Sequence, residues 1–136
     1  MILLDTNVVS QFMRGEDDPV FASWLEEAGD ILFGVSVVSV AELTFGIERA
    51  PVGRRRQRLE AAFSGFLGSV EVIEMNRPMA ERSGAFRARR ETLGRPLALA
   101  DSLIAATAYV QNIGLATRNV RDFEGLGLRI SNPWEP

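Results

Sequence analysis

The stretch that decides the fold is Ile2-Leu3-Leu4-Asp5-Thr6-Asn7, at the start of a chain of 136 residues. Three consecutive apolar residues without polar alternation predict a short strand that is buried on both faces. Asp5 then falls at the carboxyl end of that strand, immediately before the apolar residues of a first helix. In an open parallel α/β sheet this edge is where ligands bind, so Asp5 is a candidate metal ligand.

The rest of the chain alternates apolar runs with helical patterns. We predict further strands at 31–35, 70–73, 113–116 and 128–130. We predict helices over 7–13, 40–49, 54–67, 76–94 and 97–111. A further helix is predicted to begin within 16–19 and to end at 29–30. Such alternation implies right-handed crossovers between parallel strands. We therefore expect one three-layer α/β/α domain over 1–136, with a mainly parallel sheet of about five strands.

Composition limits the chemistry that the chain can perform. Hydrophobic residues make up 46% and charged residues 24%, which is typical of a globular protein. No apolar run approaches the ~20 residues that span a bilayer, so no membrane partner is expected. The first strand begins at residue 2, and we expect a cytoplasmic protein without a signal peptide. The net charge of −3 gives no overall attraction to nucleic acid.

Three residue types are missing altogether. Cysteine, histidine and lysine do not occur, so all 15 basic residues are arginine. Disulfides, thiolate chemistry and the usual general base are thereby excluded. Any catalysis must depend on Asp, Glu, Ser, Thr, Tyr or Arg.

Four acids stand at predicted strand ends or helix starts, and each has a purely structural explanation. Asp5 would act as the N-cap of the first helix. Glu42 would complete a capping box with Ser39. Asp101 lies among small apolar residues, where a lone carboxylate is costly unless it is paired or binds a cation, but it would also cap a helix that begins later than predicted. Asp122 would favour the positive end of a short helix.

Together the four acids predict a metal site. The carboxyl ends of parallel strands gather at one edge of a sheet, and four carboxylates there would repel one another unless a cation is bound. With neither His nor Cys available, the cation should be hard and oxygen-seeking, Mg²⁺ or alternatively Mn²⁺. An all-carboxylate Mg²⁺ site suits phosphoryl chemistry.

Four segments resemble, in order and spacing, the motifs of PIN-domain proteins. The similarity is greatest to the VapC-type and FitB-like toxins of bacterial type II toxin–antitoxin systems, and the ending Ile130-Ser131-Asn132-Pro133-Trp134 also resembles that subgroup. The four segments are 2–7, Ser39-Val40-Ala41-Glu42-Leu43, Leu99-Ala100-Asp101-Ser102-Leu103-Ile104-Ala105-Ala106 and 115–123. The resemblance covers essentially the whole chain.

The resemblance implies a single PIN domain that is a Mg²⁺-dependent endoribonuclease inhibited by a cognate antitoxin. By position, Asp5, Glu42, Asp101 and Asp122 match the acidic quartet of the family. Asp5 and Asp101 would be the firmest metal ligands, Asp122 would complete the metal shell, and Glu42 would hold the attacking water. The family also leads us to expect a homodimer. The polar residues that would support the quartet are Thr6, Thr117 and Asn119.

Two arginine clusters are candidates for binding RNA phosphates, since guanidinium groups make bidentate phosphate contacts. Alternatively, they form solvated helix faces or pair with Glu60, Glu81 and Glu91. The helical segments 42–47 and 59–67 are candidates for the antitoxin or dimer surface. The arginines are Arg54, Arg55, Arg56, Arg58, Arg87, Arg89 and Arg90.

Other functions were weighed against the toxin ribonuclease. A PIN-like module that binds nucleic acid or protein with little or no turnover stays open, and so does a DNA-directed nuclease. Receiver-like phosphoacceptor domains and haloacid-dehalogenase-like phosphatases also place aspartates at strand ends. Both normally need a lysine, which this chain lacks.

Overall fold

The computed structural model describes residues 1–15 and 17–136. Residue 16 lies outside these ranges. It belongs to the stretch 16–19, where the second helix is predicted to begin. The strands in the described ranges are β1 (Ile2–Leu4), β2 (Phe33–Ser36), β3 (Glu71–Ile73), β4 (Gly114–Ala116) and β5 (Ile130–Ser131). The α-helices there are α1 (Thr6–Arg14), α2 (Pro19–Ala28), α3 (Val37–Glu48), α4 (Arg54–Leu67), α5 (Arg77–Thr92) and α6 (Leu99–Gln111), and a 3₁₀ helix spans Val120–Phe123.

The sheet is built around β1. It pairs in parallel with β2 on one side and with β4 on the other. β3 and β5 complete the two ends, so the order is β3-β2-β1-β4-β5, and every pairing in the described part of the chain is parallel. This confirms the predicted α/β fold. Because the strands run in one direction, their carboxyl ends form a single edge, and Asp5 follows the central strand at that edge.

Two separate cores lie on the two faces of the sheet. Leu3 of β1 packs in a cluster with α5 and α6 that includes Phe86 and Ile104. The next residue, Leu4, packs on the opposite face in a cluster with α1 to α4 that includes Phe66. Both leucines are fully buried, as expected for a central strand with a helix layer on each side. Across the described residues, no helix is long and apolar enough to cross a membrane.

Several element ends differ from the predicted ones by a few residues. The apolar run that predicts β2 starts at Ile31, but Ile31 and Leu32 are exposed, and the N–H of Ile31 donates to the carbonyl of Ala28 in α2 at 3.1 Å. These two residues therefore connect α2 to β2, and the carbonyl of Leu32 already accepts the N–H of Ile2 in β1 at 2.9 Å. The last strand is also shifted, from 128–130 to 130–131.

The predicted capping box at Ser39 is wrong. α3 begins earlier, at Val37, with Ser36 as its N-cap; the Ser36 hydroxyl accepts the N–H of Val38 at 3.1 Å. Ser39 lies inside the helix and is fully buried. Since Ser36 and Ser39 both precede apolar residues and both suit an N-cap, the sequence alone did not separate them. The structural explanation for Glu42 as a capping-box partner therefore fails.

We expect Ser36→Ala to lower the free energy of unfolding by about 1 kcal/mol, because the N–H of Val38 would lose its cap. The measurement is urea denaturation followed by circular dichroism. Ser64→Ala, at an exposed position of α4, is the matched control and should change stability by less than about 0.5 kcal/mol. Equal effects of the two substitutions would contradict the assigned cap.

Candidate metal centre

Asp5 is the most firmly held of the four acids. It is buried, with 4% of its surface exposed, and both carboxylate oxygens accept hydrogen bonds. Oδ1 accepts the backbone N–H of Thr6 at 2.8 Å. Oδ2 accepts the hydroxyl of Thr117 at 2.7 Å and the side-chain amide of Asn7 at 3.1 Å. Asp5 is thus the predicted N-cap of α1, but only one of its oxygens serves that purpose.

Thr117 connects Asp5 to the segment after β4. It is fully buried and follows the last residue of β4 directly. While its hydroxyl donates to Asp5, the same oxygen accepts the backbone N–H of Asn119 at 3.0 Å. Thr117 and Asn119, the residues predicted to support the acids, are therefore linked to Asp5 by one chain of hydrogen bonds. This chain ends at the turn before the 3₁₀ helix.

Glu42 accepts a hydrogen bond from Thr6, whose hydroxyl in turn contacts Ser39. The hydroxyl of Thr6 donates to Oε1 of Glu42 at 2.8 Å, and Thr6 Oγ1 lies 2.9 Å from Ser39 Oγ. A hydroxyl has one proton to donate. Since Thr6 gives its proton to Glu42, the buried Ser39 hydroxyl donates to Thr6. Sequence analysis predicted support from Thr6 but missed this role of Ser39, because it assigned Ser39 to a cap.

Asp101 lies in the first turn of α6 and is half-buried. Its pKa is raised to about 6, mainly by burial and then by the negative charges of Asp5, Asp122 and Glu42, in that order of importance. The alternative that Asp101 caps a later helix start is wrong, because Ala98 is the N-cap residue of α6. The four predicted acids therefore lie close enough for three of them to act on the ionisation of the fourth.

The pKa of Asp5 is raised as well. Burial is the largest cause, and the charge of Glu42 adds to it. The hydrogen bonds from Thr117, Thr6 and Asn7 oppose the shift because they stabilise the ionised carboxylate. Asp5 is thus a buried acid whose charge is costly and whose orientation is fixed.

Asp122 occupies the exposed 3₁₀ helix and is positioned through its backbone. Its N–H donates to the carbonyl of Asn119 at 3.0 Å, and its own carbonyl accepts Nη1 of Arg90 at 2.8 Å. The side chain reaches far enough toward the sheet edge to raise the pKa of Asp101.

The donor chemistry at this edge fits a hard divalent cation. Positive charge would relieve the burial and repulsion that raise the pKa of Asp101 and Asp5. The side chains do not form a closed cage: within residues 1–15 and 17–136, no three Asp, Glu, His or Cys side chains come close enough together to hold a metal ion. Mg²⁺ usually keeps several water ligands and is bound by one or two carboxylates, so an open arrangement of this kind suits it.

Arg90, which we predicted among the RNA-binding arginines, cannot contact RNA because it is buried. Its Nε donates to the carbonyl of Arg95 at 3.0 Å. Its Nη1 donates to the carbonyls of Asp122 at 2.8 Å and Glu124 at 3.4 Å. Arg90 therefore anchors the segment that carries Asp122. The buried positions 79, 83, 86 and 90 of α5 recur at helical spacing, a signal that could have identified its inward orientation.

The other arginines divide between the two explanations given above. Arg56 is half-buried and pairs with Glu60 at 2.9 Å, as the structural alternative predicted, and also with Glu48 at 2.7 Å. Glu81 pairs with Arg77, outside the clusters, at 2.7 Å. The remaining members are exposed: Arg54, Arg55, Arg58, Arg87 and Arg89.

Comparison with known proteins identifies the family. The sequence model of the PIN domain matches residues 2–127. VapC ribonuclease Y4jK of Sinorhizobium fredii is 38% identical over 142 residues, which cover 100% of this chain and 99% of the relative. Toxin FitB of Neisseria gonorrhoeae is 32% identical over 140 residues, 98% of this chain and 99% of the relative.

Solved structures agree with this assignment. A toxin–antitoxin complex from Klebsiella pneumoniae contains a chain that superposes with a TM-score of 0.75 at 26% identity, over 100% of both chains. The chain described here belongs to the PIN-domain family, among its VapC- and FitB-like members.

We expect Asp101→Asn to raise the free energy of unfolding of the metal-free protein at pH 7.5, and to raise it by less at pH 4.5. The pKa of Asp101 rises from 3.8 to about 6 on folding, so ionisation opposes folding. That cost is absent well below pH 4 and complete above about pH 6. Thermal unfolding of both proteins in EDTA at the two pH values measures the difference. If the stability difference between the two proteins did not change with pH, folding would not raise the pKa of Asp101.

We expect Arg90→Ala to lower the free energy of unfolding by about 3 kcal/mol, because three backbone carbonyls would lose a charged donor. The neighbouring Arg89 is exposed, and Arg89→Ala removes the same charge as a matched control, with an expected change below about 0.5 kcal/mol. Urea denaturation provides both values. Similar losses for the two variants would mean that Arg90 does not anchor the 3₁₀ segment.

Proposed function

We propose that this chain, as a single PIN domain over 1–136, is the Mg²⁺-dependent endoribonuclease toxin of a toxin–antitoxin pair in the cytoplasm. The observation that carries the proposal is the electrostatic coupling of four acids from four separate segments, since Asp5, Asp122 and Glu42 all raise the pKa of Asp101. The relatives named VapC ribonuclease and Toxin FitB, which match along the whole chain, support the choice of RNA and of a toxin.

In this proposal Asp5 and Asp101 bind the metal, and Asp122 completes the shell directly or through water. The hydrogen bonds from Thr6, Thr117 and Asn7 fix the direction in which the Asp5 carboxylate points. The chemistry that Mg²⁺ supplies when bound is Lewis-acid activation of the attacking water and of a phosphate oxygen; Mn²⁺ is the alternative ion.

Glu42 is proposed to orient the attacking water and to accept its proton. Thr6 donates to Oε1 of Glu42, which holds the side chain while the second oxygen stays available to water. Water adds to phosphorus and one P–O bond of the RNA backbone breaks, so no nucleophile from the protein is needed. This fits a chain without cysteine or histidine.

The exposed arginines are proposed to contact RNA phosphates. Arg54 and Arg55 lie in the first turn of α4, at the positive end of the helix dipole, where cations are disfavoured and anions are favoured. A phosphate there would interact favourably with both the guanidinium groups and the helix end. Arg58, Arg87 and Arg89 would extend the same role along α4 and α5.

A cognate antitoxin is proposed to cover the surface formed by α3 and α4. Phe45 of α3 is 65% exposed, and a groove between the helices is lined by Ile47, Phe63 and Leu67 among others. The relative found in a toxin–antitoxin complex supports a partner of this kind, and we further propose a homodimer.

We expect the wild type to cleave a structured RNA pool with Mg²⁺ or Mn²⁺ and to be inactive in EDTA. Asp5→Asn and Asp101→Asn should each reduce cleavage about 100-fold or more, because each removes a charge that the reaction uses. Asp30→Asn, at an exposed position before β2, is the matched control and should keep full activity. Labelled RNA on denaturing gels provides the rates, and circular dichroism verifies folding.

The same assay separates the alternatives. Cleavage that persists in both site variants would overturn the catalytic assignment. Cleavage of DNA but not RNA would point to the DNA-directed nuclease. Tight RNA binding without any turnover would favour the binding module.

A further inference from the structure

We infer that the cleft between the 3₁₀ helix and the C-terminal tail binds one nucleotide of the RNA beside the scissile phosphate, with Arg118 holding a phosphate and Asn119 contacting the base. The inference rests on the proposed function and names a subsite beside the acidic quartet, with Asp122 in its wall, and outside the arginine clusters. The cleft has a volume of about 470 Å³, within the usual range for small-ligand sites. Its lining includes Arg118, Asn119, Arg121, Asp122, Asn132 and Trp134.

A series of stacked side chains leads from the core to this cleft. Phe21 of α2 is buried, and its ring stacks on Trp134 with centroids 5.4 Å apart. The guanidinium carbon of Arg118 lies 3.9 Å from the centroid of the Trp134 ring. Stacking on an indole fixes the guanidinium plane while leaving its N–H groups at the edge. Arg118 is therefore an exposed cation with a restricted orientation, which lowers the entropy lost on binding a phosphate.

The backbone of Arg118 is tied to the proposed metal site. Its N–H donates to Oδ1 of Asn7 at 3.2 Å, and the amide nitrogen of Asn7 donates to Asp5 at 3.1 Å. On the other side, the carbonyl of Arg118 accepts the side-chain amide of Asn132 at 3.4 Å, and Asn132 also accepts the N–H of Trp134 at 3.0 Å. These contacts fix the cleft relative to the acid that the proposal makes a metal ligand.

The cleft also adjoins the quartet through Asp122, which lines its wall. An RNA strand whose scissile phosphate lies at the acids would place an adjacent nucleotide in this cleft. The residues present suit both parts of a nucleotide: arginine for the phosphate, and the amide of Asn119, which both donates and accepts hydrogen bonds, for the edge of an unpaired base. Unpaired bases are the usual target of sequence-specific RNA recognition.

The test measures the binding of a short, fluorescein-labelled single-stranded RNA by anisotropy in EDTA, across a range of salt concentrations. Arg118→Ala should weaken binding about tenfold. It should also reduce the slope of log affinity against log salt by about 0.7, the value for one phosphate contact on a single strand. Arg129→Ala removes the same charge at the opposite edge of the sheet, where Arg129 donates to the carbonyl of Asn112, and should leave both quantities within experimental error.

Arg118→Lys separates charge from geometry. Lysine keeps the positive charge, so the salt slope should stay near the wild-type value, while affinity should fall about threefold because an ammonium group cannot make the stacked, bidentate contact. A second readout is the map of RNA cleavage sites in Mg²⁺: Asn119→Ala should broaden the preference for the base at one position while Arg129→Ala preserves it.

The outcomes distinguish this inference from the function on which it rests. Wild-type RNA cleavage with unchanged affinity, salt slope and site preference in the Arg118 and Asn119 variants would overturn the subsite and leave the ribonuclease intact. Failure of the wild type to bind or cut any RNA would overturn both.

Discussion

The hydrogen bond from Thr117 to Asp5 is the contact on which the site depends. It spans 112 positions of sequence and joins the ends of the neighbouring parallel strands β1 and β4 inside the protein. A buried carboxylate is expensive, and charge-assisted hydrogen bonds from Thr117, Thr6 and Asn7 offset part of that cost. The same contacts set the direction of the carboxylate. Asp5 thus caps α1, links the ends of β1 and β4, and holds its carboxylate in one direction for the proposed metal site.

The four acids at the carboxyl edge of the sheet lower the stability of the fold, and contacts elsewhere offset part of that loss. Burial and mutual repulsion raise the pKa of Asp101 and Asp5, so folding disfavours the charged forms that would bind a cation in the proposed site. Arg90 stabilises the segment that carries Asp122, but it does so without an ion pair. It donates to the carbonyl of Asp122 rather than to its carboxylate, and so fixes the segment without neutralising the charge. An acid held through its backbone keeps its side chain available for a ligand.

Much of this arrangement could be predicted from the sequence, and the exceptions have physical reasons. The apolar run before Asp5 and the alternation of strands with helices predict the parallel sheet, since each rests on local periodicity. The prediction that the four acids converge follows from the parallel direction of the strands, although Glu42 lies in the second turn of α3 rather than at its start. Ser36 and Ser39 could not be told apart, because both suit an N-cap and only tertiary packing decides which one is buried beside Thr6. The helical spacing of positions 79, 83, 86 and 90 could have placed Arg90 on the inner face, but its acceptors, 32 and 34 positions away, could not be predicted locally.

The four acids differ in how far they can respond to a ligand. Asp5 is buried and held through both oxygens, and Asp101 is half-buried on a regular helix, so neither can move away from the repulsion. Glu42 and Asp122 are exposed, so water reaches both carboxylates, although Thr6 donates to Glu42 and Arg90 fixes the backbone of Asp122. Repulsion among the like charges is therefore felt at the two less exposed acids, where it adds to burial in raising the pKa. In the proposed site, two firmly held carboxylates beside two that water can reach would suit Mg²⁺, which accepts water in place of missing protein ligands.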